Sequence, residues 1–344
     1  MSFEFPAFDP VLFDLPGPLD VRWYGLMYVA GFFVAHWILR RLCRRGFLPL
    51  AEQQVGDLLV TLLFGVILGG RIGYALFYDQ GLADPLRLLQ IWQGGMSFHG
   101  GLLGVFVAFS WYARKHRLPW ARLGDACALS VTPGIAFVRF ANFINGELYG
   151  RTTEAGRFLA MRFPTDPAAT HALGLDRVLD TRTKELAIQY AFRQRSWESI
   201  QDRLVQTDGF GRPIDWNLLR QQLDWSKARE LVPYRYASQL MEGLAEGLLL
   251  GIVLFLAYRL TRSRLLAPGT YGGLFLLGYA LARFSLEYLR QPDSQFTDPD
   301  DPLGTVLWGL TMGQTLSSAM LLAGLYFFGR GLLRGRAPRP ANAG

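Results

Sequence analysis

A guanidinium, two carboxamides and a carboxylate fall within one short stretch, Arg139-Phe-Ala-Asn-Phe-Ile-Asn-Gly-Glu-Leu-Tyr-Gly150, directly after an apolar run from Ala126 to Val138. Such groups can bind an anion. The guanidinium fork matches phosphate or carboxylate with paired hydrogen bonds, and the amides add neutral donors. Helical spacing puts Arg139, Asn142 and Gly146 on one stripe. The apolar run reads as the middle of a membrane helix, where a charge costs at least ~2.5–3.5 kcal/mol. Either a partner inside the protein, Glu147 being the nearest in sequence, or an anionic ligand must offset that cost. Other polar groups occur in comparable surroundings: Tyr24, Arg71, His99, Glu242, and the series Tyr279, Arg283, Glu287. The last three follow at i+4 and share one helix face. His99 is the candidate proton acceptor, with an architectural role in its glycine-rich setting as the alternative.

Membrane helices must carry these side chains. The 344-residue chain is 51% hydrophobic, clustered into runs of roughly 17–25 residues, the length a helix needs to cross a hydrocarbon core of about 30 Å. The runs lie at 22–39, 57–78, 96–113, 124–144, 240–258, 271–289 and 305–328. Barrel strands would be shorter and would alternate polar with apolar. The expected fold is an all-α polytopic membrane protein with seven transmembrane helices.

The net charge of +7 is unevenly placed. Arg40, Arg41, Arg44 and Arg45 follow the first run, and Arg114, Lys115, Arg117 and Arg122 separate the third from the fourth. Arg259, Arg262 and Arg264 follow the fifth; Arg330, Arg334, Arg336 and Arg339 follow the seventh. Acidic residues take the alternate flanks, with Asp9, Asp14 and Asp20 before the first run and Asp293, Asp298, Asp300 and Asp301 before the seventh. This is the positive-inside pattern rather than a nucleic-acid footprint. It predicts an amino terminus outside and a carboxy terminus inside. Residues 1–149 then hold four helices behind a short outer segment, 150–238 form an external soluble insertion, and 239–344 hold three helices and a basic cytoplasmic tail. The acidic, proline-bearing start predicts no cleavable signal peptide. Cys43 and Cys127 fall near inner-facing ends, which argues against an external disulfide. The four histidines are scattered and no metal, Walker or dinucleotide motif occurs, so neither metal nor cofactor is expected.

Small residues recur every fourth position at Gly65, Gly69, Gly73 and at Gly243, Gly247, Gly251, predicting close helix contacts. Gly94-Gly-Met-Ser-Phe-His-Gly-Gly-Leu-Leu-Gly104 is a poor helix start, since each glycine sacrifices ~1 kcal/mol of propensity. It suits a backbone that approaches a ligand or a broken helix end lining a cavity. Pro133-Gly134 predicts a kink, and Met312-Gly-Gln-Thr315 reads as packing. Within the insertion, 182–207 and 215–230 carry helical patterns but no catalytic constellation, which suits a cover over the site and a surface for a protein partner.

Alternating direction puts Tyr24, His99, Glu242, Arg71, Arg139 and Arg283 all near outer ends, roughly 5–10 Å deep at about 1.5 Å per residue. Several cations at one depth repel unless an anion joins them. The natural anion there is an outer-leaflet phospholipid phosphate, which arginine holds better than lysine. A secondary transporter would instead put its charges at the midplane and show repeated halves. A non-catalytic lipid-binding scaffold is the other alternative.

Val21–Tyr28, Gly69-Gly-Arg-Ile-Gly-Tyr74, Gly94–Gly104, Asn142–Arg151 and Gly278–Asp293 resemble the bacterial prolipoprotein diacylglyceryl transferases, in order over six of the seven runs. The resemblance implies transfer of the diacylglyceryl group of phosphatidylglycerol to a lipobox cysteine of a prolipoprotein, in the bacterial cytoplasmic membrane with the site towards the outer leaflet. It also implies that Arg139 and Arg283 are essential arginines, with phosphatidylglycerol at Arg139, and that Tyr24, His99, Asn142, Glu147, Gly150 and Glu287 are site positions. Arg71 and Tyr279 join the lipid-binding set by depth and face. Ala141 departs from the family's usual glycine. Arg235-Tyr-Ala-Ser-Gln-Leu-Met-Glu242 departs from its usual Arg-His-Pro-Ser-Gln-Leu-Tyr-Glu, and the insertion is longer than is common.

Overall fold

The computed structural model of the chain describes residues 4–6, 8–14, 20–77, 96–178, 180–191, 196–292, 297, 301 and 303–335. Gly94, Gly95, Asp293, Asp298, Asp300, Arg336 and Arg339, on which parts of the sequence reading drew, lie outside the described residues.

A hairpin of β1 (Val11–Asp14) and β2 (Asp20–Arg22) leads into α1 (Trp23–Arg44), followed by α2 (Gln54–Phe77), α3 (Phe98–Lys115) and α4 (Trp120–Ile144). The next stretch carries β3 (Thr152–Thr153), β4 (Ala160–Met161) and the short helices α5 (Pro167–Ala172), α6 (Thr181–Ala191), α7 (Trp197–Ile200), α8 (Trp216–Gln222) and α9 (Trp225–Ala228). Strand β5 (Tyr234–Tyr236) then enters α10 (Ser238–Thr261) and α11 (Thr270–Leu286). A second hairpin, β6 (Thr305–Leu307) and β7 (Leu310–Thr311), opens directly into α12 (Met312–Leu333).

The structure is mostly helical, and every apolar run of the sequence lies largely in helix. Among the described residues, five helices, α1, α2, α4, α10 and α12, are long and apolar enough to cross a membrane. At 18 and 17 residues, α3 and α11 rise roughly 26–27 Å, at the lower end of the length that crosses a hydrocarbon core. Three boundaries differ from expectation. The last run begins as a hairpin because Trp308 and Gly309 both take positive φ, 50° and 75°, the twist a two-residue turn needs. Helix α4 continues through Pro133. It stops at Ile144, and Gly146 turns left-handed at φ 63°, so Gly146 leaves the stripe shared by Arg139 and Asn142. Of the helices expected over 182–207 and 215–230, the described residues hold α6 and α7 in the first and α8 and α9 in the second, where a new cap at Asp224 interrupts the pattern. Asp215 accepts from the amides of Asn217 and Leu218, and Asp224 from that of Ser226.

The chain divides into two compact units. One comprises Met1–Val29, Ile135–Leu248 and Ala280–Ser318. Its part between α4 and α10 is built on a buried cluster that includes Leu173, Val178, Trp197, Ile200 and Trp216, beside the antiparallel sheet β3–β5–β4. Two ion pairs fasten the amino-terminal segment to it: Arg22 to Glu185 at 3.0 Å and Arg229 to Glu4 at 2.7 Å.

The other unit comprises Ala30–Gly134, Leu249–Tyr279 and Ala319–Gly344. Its core gathers Leu39, Phe47, Leu58, Tyr112, Leu123 and Tyr271. Here α2 and α3 lock backbone to backbone. A Cβ added to Gly73 would stand 2.7 Å from Gly100 Cα, and one on Gly69 2.7 Å from Gly104 Cα. The ladder on α2 is therefore a helix contact, as its spacing predicts. Gly100 and Gly104, from the cluster whose sequence suits a ligand approach or a broken helix end lining a cavity, stand in that same contact.

Candidate functional site

Within the first unit, α4, α10 and α11 bring six charges together. Arg139 comes from α4, Glu242 and Glu246 from successive turns of α10, Arg283 from α11, and Glu287 and Arg290 from the turn that ends α11. Arg139 Nε lies 3.0 Å from Glu242 Oε2, and its Nη2 lies 3.8 Å from Glu246 Oε2. Glu242 Oε1 also meets Arg283 Nη1 at 3.7 Å and Arg290 Nη1 at 3.5 Å, so one carboxylate is shared by three guanidiniums. The second nitrogen of Arg283, Nη2, pairs with Glu287 Oε2 at 2.8 Å, and Glu287 accepts from the Thr311 hydroxyl at 3.0 Å. Glu242 and Glu246 are each 0% exposed.

Local sequence explains how these groups meet. From Gly243 to Leu249, α10 winds as a π-helix, a rare geometry that occurs frequently at functional sites. Gly243 and Gly247 in that segment face α4, where a Cβ on Gly247 would stand 2.6 Å from the Ala136 methyl and one on Gly243 3.2 Å from Arg139 Cβ. Their absent side chains let both carboxylates reach Arg139. Gly313, at the start of α12, makes room for Glu287 in the same way: a Cβ there would lie 2.5 Å from the carboxylate. The stretch read as mere packing is thus a cradle for Glu287.

Beside this cluster, the buried Asn142 donates to Glu147 Oε1 at 2.9 Å and to the Tyr24 hydroxyl at 3.5 Å. Asn145 reaches the same Glu147 oxygen at 3.5 Å. The sequence suggested Glu147 as the group that orients Arg139. In the structure Glu242 and Glu246 stand at ion-pair distance from Arg139, and Glu147 is engaged by two carboxamides. Gln239 Nε2 donates to the Glu147 carbonyl at 2.6 Å and the Ser238 hydroxyl to that of Leu148 at 3.1 Å, fixing this loop to the start of α10.

Gly150 sits where three backbone segments cross. Its amide donates to the Tyr236 carbonyl at 2.7 Å, it bridges to Arg290, and a Cβ would collide with the Leu289 carbonyl. Its position holds Arg290 in register rather than touching any charged group directly. Next to it, Tyr149 stacks on Phe163 under the Arg235 guanidinium, which pairs with Asp166. Burial, with help from Asp166 and against Arg235, pushes the Tyr149 phenol up to about 12, so it stays neutral.

Arg71, His99 and Tyr279 belong to the other unit. Arg71 is buried on α2, next to Gly70, whose carbonyl accepts from the Ser97 amide at 2.9 Å. Ser97 caps α3, accepting from Gly100 at 3.2 Å, and His99 lies exposed in that first turn. Tyr279 stacks on Phe275 with ring centroids 5.7 Å apart. The sequence reading missed Glu246, Arg290, Thr311 and Gly313, and noted Glu242 only for its depth. The signal for Glu246 was present: a second carboxylate four residues after Glu242, inside an apolar run.

The family model described as prolipoprotein diacylglyceryl transferase matches residues 10–330. A phosphatidylglycerol–prolipoprotein diacylglyceryl transferase of Ruegeria pomeroyi is 36% identical over 350 residues, covering 97% of this chain and 97% of its own length. Proteins of the same name from Escherichia coli and from Shigella boydii are each 38% identical over 324 residues, covering 94% of this chain and 92% of theirs.

Proposed function

The chain belongs to the prolipoprotein diacylglyceryl transferase family, and from that premise we infer that it moves the diacylglyceryl group of phosphatidylglycerol onto the lipobox cysteine thiol of prolipoproteins. In this transfer a carbon–sulfur bond forms at the glycerol carbon that carries the phosphate. The carbon–oxygen bond there breaks, the thiol proton is given up, and glycerol 1-phosphate leaves.

The observation that carries the reading in this structure is the Arg139–Arg283–Arg290 cluster among buried carboxylates. Opposed guanidiniums from separate helices suit a phosphodiester, which takes paired hydrogen bonds from each fork. They also suit the second negative charge that grows on the leaving phosphate, because fixed cations in a dry site need no reorganisation. Arg139 and Arg283 are assigned both tasks. Asn142, Tyr24 and Glu147 form the neighbouring polar wall for the glycerol headgroup, and Gly150 and Glu287 hold Arg290 and Arg283 in place. Arg71 and Tyr279 are assigned to lipid binding, and His99 to thiol deprotonation, following the family resemblance and their sequence positions.

The fold reading extends in the same way. Seven membrane crossings, with α3 and α11 completing the five longer ones, an amino terminus outside and residues 150–238 external fit the charge pattern of the flanks. That orientation puts the cluster in the outer leaflet of the bacterial inner membrane. The decisive assay incubates the purified protein with phosphatidylglycerol and a lipobox peptide and measures free glycerol phosphate. Release that requires both partners is expected. Lipid binding without release would leave a lipid-binding scaffold in its place.

A further inference from the structure

The loop that follows α4 turns left-handed twice, at Gly146 with φ 63° and again at Leu148 with φ 56°. Glycine takes that conformation without strain, but a leucine there drives its Cβ against the backbone, and a bulky side chain at positive φ is a true exception. The conformation is held from several sides. The Glu147 amide donates to the Asn142 carbonyl at 3.0 Å, and the Glu147 carbonyl accepts from Gln239 at 2.6 Å. The Leu148 carbonyl accepts from the Ser238 hydroxyl at 3.1 Å, and the Gly150 amide donates to the Tyr236 carbonyl at 2.7 Å. So held, the leucine gains little from the fold itself. Tyr149 packs on the buried cluster of Phe143, Phe163 and Ala237, whereas Leu148 is 45% exposed. An exposed leucine is ordinary on a membrane helix, where it needs no special backbone. Leu148 stands outside any helix, and glycine or asparagine would meet its φ with less strain. Strain of this kind persists where the surrounding structure over-determines it, and it gathers at active sites and ligand clamps.

Position along the chain names the ligand. Glu147, bonded by Asn142 and Asn145, belongs to the polar wall assigned to the glycerol headgroup. The next Cα is about 3.8 Å away. A lipid whose headgroup lies against Glu147 therefore brings its ester groups and first methylenes within reach of the following side chain. We propose that Leu148 is a substrate-binding residue, held out by its left-handed backbone to receive the acyl side of the phospholipid. This rests on the reading of Asn142 and Glu147 as the headgroup wall. The step from carboxylate to leucine between adjacent residues follows the step from polar to apolar along one lipid molecule. Covering the exposed part of the leucine adds apolar binding that a bare headgroup does not receive.

The test compares wild type with Leu148→Asn and Leu148→Gly in mixed micelles with a lipobox peptide. The readouts are the KM for phosphatidylglycerol, the KM for the peptide, the inhibition constant of added glycerol 1-phosphate, and the melting temperature. Glycerol 1-phosphate carries the glycerol and the phosphate but no acyl chain. In both variants the KM for the lipid is expected to rise roughly five- to twentyfold. The inhibition constant, the peptide KM and the melting temperature should stay near wild type. Leu148→Met, which keeps an apolar side chain at the same place, should hold the lipid KM within about twofold of wild type. A leucine retained only for structure gives another pattern: the variants melt lower, and the lipid KM and the inhibition constant move together. That pattern overturns the proposal. A rise in the peptide KM alone also overturns it, since Leu148 would then face the precursor. Should Leu148→Gly fail to fold, Leu148→Asn carries the test, because asparagine adopts positive φ readily. Failure of the underlying reading looks different. Wild type would then release no glycerol phosphate or be indifferent to added glycerol 1-phosphate, and the role of Leu148 falls with it.

Discussion

Arg139 Nε and Glu242 Oε2 stand 3.0 Å apart, joining two membrane helices through a carboxylate that is 0% exposed. Removing one partner of a buried pair costs about 3–5 kcal/mol, because the other charge is left without compensation. Glu242→Ala is therefore expected to destabilise the protein, whereas Arg139→Lys, which keeps the charge, should fold. Lysine loses the planar fork, and charge-assisted hydrogen bonds of this kind contribute about 1.5–3 kcal/mol. The transfer rate, read as kcat/KM, should fall roughly 10- to 100-fold in Arg139→Lys. Unchanged kinetics would remove the bidentate role.

Gly313→Ala places a methyl 2.5 Å from the Glu287 carboxylate. Overpacking costs about 1–3 kcal/mol, and here the group that must yield is a partner of Arg283. Activity should drop while α12 still forms. Circular dichroism and thermal melting beside the transfer assay check this, and an active, equally stable variant counts against the cradle.

Gly150→Ala meets backbone rather than a flexible side chain, at the Leu289 carbonyl. The crossing of three segments has nowhere to move, so the expected loss is of fold as well as activity. A lower melting temperature than that of Gly313→Ala is the measurable consequence.

The second hairpin responds to pH through Asp301. Bonds to its carboxylate from the Thr305 hydroxyl, then from the backbone amides of Thr305, Leu303 and Gly304, hold it below the ordinary carboxylate range. A depressed folded value stabilises the hairpin above the unfolded value of about 3.9 and loses that support as pH falls through the folded one. Hydrogen exchange at the Thr305 amide, corrected for intrinsic rate, should be protected at pH 6 and lose protection towards pH 3. Asp301→Asn should already lack it at pH 6.

His99→Gln tests the proton acceptor. General-base catalysis contributes typically about 10²–10⁴-fold, so the variant should slow by at least ~10²-fold near neutrality and recover towards higher pH, where the thiol ionises unaided. A rate near wild type across pH 6–9 would leave the arginines alone to activate the thiol.

The helices were legible because a run of apolar residues long enough to cross a bilayer has few other structures open to it. Arg139, Arg283 and Glu287 were legible because charge inside such a run demands a reason. The partner of Arg139 was not, since Glu147 is near in sequence while Glu242 and Glu246 lie about a hundred positions on. Only tertiary packing decides between them. The glycines divide in the same way. The ladder on α2 announced a helix contact, but its spacing said nothing of which helix would meet it, and so Gly100 and Gly104 were read as a ligand approach. Gly313 and Gly150 carry no periodic signal. Each matters because of one atom that the fold brings beside it.

The ion pairs of the amino-terminal segment have a consequence for biosynthesis. Arg22 bonds a residue 163 positions later, and Glu4 is bonded by one 225 positions later. At a translation rate of roughly 5–20 residues per second, the first part of the chain to emerge waits on the order of 10–45 s for the side chains that fasten it. The earliest-made segment is thus secured only after more than half of the chain has been made. Its resistance to protease during synthesis would report when the chain has been made as far as Arg229.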